Sequence, residues 1–172
     1  MPAAASAQER RVVVVPGLEA GDLAALTDRG AVGLLVPDSG PRTSGARARA
    51  ALERGAVRNS VLGGLPEGEA RLDVETASAV PSGPAIVLGL PTGGEQPNKR
   101  RYPIAVLGEG YRGVLTSDST RIPGLVSIVD VAPTALGEDG ARGQAPRVRQ
   151  PCRSRRVCPG SPLPRPRTAG SP

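Results

Sequence analysis

With 172 residues the chain has room for one domain, and two Tyr with no Phe or Trp leave Val, Leu, Ile and Ala to fill its core. Residues 141–172 carry eight Arg and no acid; removing those eight from the net charge of +6 leaves the first 140 residues at −2, so the body has no field that attracts nucleic acid. The chain has no His, which closes imidazole routes to zinc binding and general-base catalysis, and its longest strongly apolar run, Val12 to Val15, is far short of the roughly 20 residues of a membrane span.

Residues 1–10 read as a disordered, Ala-rich leader. Ala5-Ser6-Ala7 before Gln8 also reads like the small-residue end of a secretory signal, without the charged and apolar regions that precede such a site. Residues 11–138 alternate apolar runs with helical patterns. Arg11 to Val15 is β-branched and stops at Pro16-Gly17, as a buried strand does. Asp22 can cap a helix to Arg29, with Gly30 as its stop. Ala31 to Val36 predicts a second strand. Beyond the turn at Ser39-Gly40-Pro41, Thr43 or Ser44 can cap a helix through Arg54 that Gly55 closes.

Further strands are predicted at Val57 to Leu62, Arg71 to Glu75, Ala85 to Leu90, Pro103 to Leu107 and Arg112 to Ser117. Pro91 to Arg101 reads as a long polar loop. Asp130 can cap a last short helix, with Pro133 in its first turn and Gly137 at its end. Strand and helix in alternation with short connections predict an α/β fold, a layered sheet with flanking helices. Residues 139–172 read as a disordered Arg/Pro-rich tail, too poor in apolar surface to offset its ordering entropy. A basic arm for an anionic surface has this composition, and so does a GC-rich gene read out of frame. Cys152 and Cys158 both fall in this tail, and their spacing does not match a zinc site.

Gly113 to Leu136, GVLTSDSTRIPGLVSIVDVAPTAL, resembles a segment of the alkaline phosphatase and sulfatase superfamily that ends in "V-D-hydrophobe-x-P-T-x-L". It looks particularly like actinobacterial-type envelope proteins related to that group. Val12 to Gly17 and Leu26 to Val36 are similar to the family's opening strand, first helix and second strand. The resemblance implies an incomplete alkaline phosphatase-like domain and an extracytoplasmic setting. It also implies a metal-binding Asp after the first strand, where Pro16 stands, and an Asp-His pair, where Asp118 and Ser119 stand. Thr43 and Ser44 match the context of the family's nucleophile at a helix N-terminus, with Arg42 beside them as a candidate anion ligand. Cap preferences favour the structural role for both hydroxyls.

These substitutions predict a catalytically inactive relative that uses no metal or other cofactor. The alternatives are a phosphate- or sulfate-ester hydrolase with a Thr or Ser nucleophile, and an anion-binding module without turnover. Asp22, Asp38, Asp73, Glu75 and Asp118 could serve only an oxygen-ligated magnesium site, which their spacing does not recommend. Gly93-Gly94 with Lys99 lacks phosphate-loop spacing. Lys99-Arg100-Arg101-Tyr102 reads as a solvated loop rather than a nucleic-acid platform. No partner follows from these residues.

Overall fold

A computed structural model of the chain describes residues 9–56, 68–138 and 140–144. Strand β1 (Val12–Val14) is buried on both faces, which is why its sequence shows no polar alternation. Among the described residues ten strands run in chain order as β1, β2 (Gly30–Val36), β3 (Arg42–Thr43), β4 (Val74–Thr76), β5 (Ala85–Leu88), β6 (Gln96–Pro97), β7 (Tyr102–Leu107), β8 (Gly113–Thr116), β9 (Leu125–Ser127) and β10 (Arg142–Gln144). The helices are α1 (Gly45–Arg54) and α2 (Val131–Ala135), with 3₁₀ helices at Ala20–Leu26 and Ile128–Asp130.

Eight strands form one mixed sheet in the order β10-β8-β2-β7-β5-β1-β4, with β9 also paired to β2. Strands β8 and β9 share one edge of β2, at Ala31 and Val32 for the first and at Leu34 to Val36 for the second. Pairing is parallel for β1 with β4 and β5, and for β2 with β8 and β9; it is antiparallel for β7 with β2 and β5. The protein is therefore α/β with a mixed sheet and few helices. Strands β3 and β6 stand apart as a two-stranded ribbon.

One face of the sheet packs Val12, Leu35, Ile86 and Ile104 against Ala48 and Leu52 of α1 and Val131 and Ala135 of α2. Alanines on α1 bring the helix close to the sheet, so aliphatic residues suffice to fill this layer. The other face packs Val13, Val87, Ala105 and Leu107 against Leu23 and Leu26 of the first 3₁₀ helix.

Several elements differ from their sequence-based boundaries. The helix expected from Asp22 to Arg29 is the 3₁₀ helix Ala20–Leu26. Its N-cap is Glu19, and Asp22, in the first turn, completes a capping box by accepting the Glu19 N–H at 2.8 Å. Gly30 is no helix stop but the first residue of β2. A Cβ there would lie 2.1 Å from the Val106 carbonyl oxygen, so the crossing of β7 requires glycine. Arg71 and Leu72 are not in β4. Their N–H groups both donate to the Glu53 carbonyl, at 2.7 and 3.0 Å, which completes the end of α1 before the strand begins.

The long polar loop contains β6, which a two-residue pairing gives no pattern to reveal. At the end of the body, Arg142–Gln144 pairs antiparallel with β8, although the sequence reading begins the tail at 139. Ala141 is buried, its N–H donates to Thr134 Oγ1 at 2.7 Å, and its carbonyl accepts from Tyr111 at 3.3 Å. Side-chain partners for a backbone segment leave no trace in its own hydrophobicity. The strand expected at Val57 to Leu62 lies outside the described residues.

Candidate functional site

The candidate nucleophiles sit where β2 hands the chain to α1. After β2, Asp38 turns the chain by accepting the Gly40 N–H on Oδ1 at 3.0 Å. Its Oδ2 pairs with Arg47 Nη2 at 3.0 Å, from the first turn of α1. Asn98, in the turn after β6, donates from Nδ2 to the carbonyls of Asp38 and Gly40 at 2.7 and 2.9 Å, and from its backbone N–H to the Pro41 carbonyl at 2.8 Å. The β3–β6 ribbon is thus stitched to the turn that precedes the helix.

Within this corner the two hydroxyls have different roles. Ser44 is the N-cap of α1: its backbone is extended and its side chain accepts the Arg47 N–H at 3.2 Å. Thr43, one residue earlier, is only 1% exposed, and its Oγ1 has no hydrogen-bond partner among the described residues. A nucleophilic hydroxyl needs access to substrate and a group that takes its proton. Thr43 lacks the access. Ser44 Oγ accepts the Arg47 N–H with one of its lone pairs, and its hydroxyl has no proton acceptor among the described residues.

Arg42 is half-exposed and faces Glu95, from the loop between β5 and β6. The Arg42 guanidinium lies 3.5 Å from Glu95 Oε2 and 3.3 Å from the Glu95 carbonyl oxygen. Arg47 also reaches Glu95, at 3.1 Å to Oε1. No acid lies in the first turn of α1. The carboxylates of Asp38 and Glu95 supply negative charge to that end of the helix from neighbouring loops. Two guanidinium groups and two carboxylates balance one another here.

Asp118 and Ser119, compared in sequence with an Asp-His pair, diverge. Asp118 is exposed and pairs outward with Arg142 at 3.1 Å. Ser119, also exposed, donates to Asp130 Oδ2 at 2.5 Å, and the same oxygen accepts the Ser127 N–H at 3.0 Å. Asp130 therefore reaches back to the turn before the 3₁₀ helix Ile128–Asp130 instead of capping the N–H groups of α2. Ser117 and Thr120 complete this hydroxyl cluster at 3.1 Å.

Pro16 helps to line a pocket of about 350 Å³ between β1 and the first 3₁₀ helix, together with Val15, Leu18, Leu26 and Val80. An apolar lining of this kind offers a cation little but the Asp22 carboxylate, which already accepts the Glu19 N–H. Among the described residues, no group of three or more His, Cys, Asp or Glu is placed to hold a metal ion. Tyr102 packs its side chain against the first core cluster, leaving the adjacent basic loop without a free stacking surface. Among the described residues no helix is long and apolar enough to cross a membrane.

No family model, curated protein or solved structure matches the chain.

Three of its members, Arg47, Glu95 and Asn98, were not among the residues singled out from sequence. Arg47 has a partial signal, since it sits three residues after the Ser44 cap. Glu95 and Asn98 carry none, because their positions depend on the β3–β6 pairing.

Proposed function

We propose that the chain is a non-catalytic domain related to the alkaline phosphatase and sulfatase superfamily, in which the nucleophile corner has become a structural joint. The family relation rests on the Gly113 to Leu136 segment and on the order of the opening strand, turn, second strand and helix. The loss of catalysis rests on one observation above the rest: Thr43 is buried and Ser44 is occupied as the helix cap. Pro16 in place of a carboxylate and the lack of any His in the chain support the same reading.

Arg42 and Arg47 support no separate anion-binding role in this arrangement. Their charge is matched by Glu95 and Asp38. Titrating the full chain with inorganic phosphate should give no saturable heat, whereas stoichiometric binding would favour the anion-binding module.

Metal affinity tests the proposal from the other side. Equilibrium dialysis against Zn²⁺, followed by assay with an aryl phosphate, should leave the protein without stoichiometric metal and without turnover above buffer. Tight, stoichiometric zinc together with hydrolysis would overturn the proposal.

A further inference from the structure

The pocket of about 350 Å³ beside β1 opens where a parallel ladder stops. The Ala77 N–H donates to the Val14 carbonyl at 3.0 Å, one bond beyond the paired residues of β1 and β4. Two residues past Val14, Pro16 has no N–H to continue the ladder. Gly17, at φ 81°, takes the chain through a turn that the Leu18 N–H closes on the Val15 carbonyl at 3.2 Å. The pocket thus lies outside the carboxyl end of β1, the region where ligands gather in open α/β sheets. It is on the face of the sheet opposite α1, against the second core cluster.

Its lining selects the ligand. Val15 and Leu26 are buried in that second core, and Leu18 and Val80 pack against it half-buried, so the wall suits an apolar body. Among the described residues the one charged group lining the pocket is Asp22. Its Oδ2 accepts the Glu19 N–H, and no Lys or Arg of the described residues pairs with it. An ionised carboxylate has further acceptor sites to offer. A hard metal ion needs several oxygen ligands, which this wall does not supply. An ammonium group needs less, since one carboxylate and solvent can accept its hydrogens while the carbon body lies on the aliphatic wall. A carboxylate or phosphate ligand would face Asp22 with no cation to offset it.

We propose that this pocket binds a small amphiphilic amine, its ammonium group at Asp22 and its body against Val15, Leu18, Leu26 and Val80. The volume is near the small end of the roughly 300–1,000 Å³ of ligand pockets, which fits a short alkyl chain or a six-membered carbocycle. The site shares no residue with the corner at Thr43 and Ser44, so it stands apart from the loss of catalysis.

Three ring compounds of one shape and different charge test it: cyclohexylammonium, cyclohexanol and cyclohexanecarboxylate. Each is titrated into the full chain at matched pH and ionic strength and followed by amide chemical shifts. Saturable shifts should centre on Gly17, Leu18, Ala25 and Ala79. Cyclohexylammonium should bind about threefold more tightly than cyclohexanol, the size of an exposed ion pair, and the carboxylate should bind most weakly. Asp22→Asn keeps an acceptor for the Glu19 N–H; it should remove the ammonium preference and leave the cyclohexanol affinity unchanged. No saturable shift at those amides, or an ammonium that binds no better than the alcohol, would overturn the proposal. A preference that survives Asp22→Asn would overturn it as well.

Discussion

Arg47 in the first turn of α1 meets Asp38 at 3.0 Å and ties the helix to the loop that leaves β2. The Asp38 side chain is 5% exposed and that of Arg47 is 25% exposed, so the pair is largely but not wholly removed from water. Removing the guanidinium strands a buried carboxylate, which costs more than the pair itself contributes. Arg47→Ala should lose about 2 kcal/mol, below the roughly 3–5 kcal/mol of fully buried pairs because Arg47 keeps some solvent. Asp38→Asn retains an acceptor for the Gly40 N–H and should lose less. Urea unfolding midpoints of the two variants give the order directly.

The cap itself is a smaller and separable contribution. Ser44→Ala removes the acceptor for the Arg47 N–H and should destabilise the protein by about 1 kcal/mol, whereas Ser44→Gly should cost only a few tenths. Equal losses in thermal melts of the two variants would show that Ser44 does not act as a cap.

The last described strand depends on groups outside itself. Thr134 Oγ1 accepts the buried Ala141 N–H, and Gly143 sits where a Cβ would come within 2.7 Å of the Arg112 backbone nitrogen. Thr134→Val leaves that N–H unpaired and should cost about 1–3 kcal/mol. Gly143→Ala pushes β10 from β8 and should cost a similar amount, about 1–3 kcal/mol. Hydrogen exchange should then quicken at the amides of β8 and β10, with little change in β1 and β5. Unchanged exchange in both variants would mean that residues 140–144 are not docked as described.

At the opposite edge, Arg49 of α1 donates to the Val74 carbonyl, to Thr76 Oγ1 at 3.1 Å and to Glu53 at 2.9 Å. One side chain thus covers the open edge of β4 and holds the strand to the helix. Arg49→Ala should cost about 1 kcal/mol and raise exchange at Val74 to Thr76. Protection unaltered at those amides would assign the edge to other contacts.

Residues whose own type dictates their environment were legible in the sequence. Val12 to Val15, Ala85 to Leu88 and Pro103 to Leu107 are buried runs bounded by turn residues, and each lies within a strand or at its end. Helix α1 announces itself through a Ser cap and a Gly stop, with Gly55 in the left-handed conformation at φ 66°. What stayed hidden depends on a partner distant in the chain. Strands β3 and β6 are two residues each and exist only as a pair. Strand β10 is Arg, Gly and Gln, a composition that reads as tail until Thr134 and Tyr111 supply its neighbour's hydrogen bonds.

The candidate site divides in the same way. Thr43, Ser44 and Arg42 were found because a helix start has a local signature. The pairing of Arg42 with Glu95 and the burial of Thr43 come from tertiary packing, which leaves no trace in the local sequence.

The most direct measurement is the initial rate of aryl phosphate and aryl sulfate hydrolysis by the purified full chain, with Zn²⁺, Mg²⁺ or Mn²⁺ added in turn, beside the Thr43→Ala/Ser44→Ala double variant. A structural joint predicts that neither protein exceeds the metal-containing buffer, while the double variant alone loses stability. Turnover by the natural sequence that disappears in the double variant would contradict it.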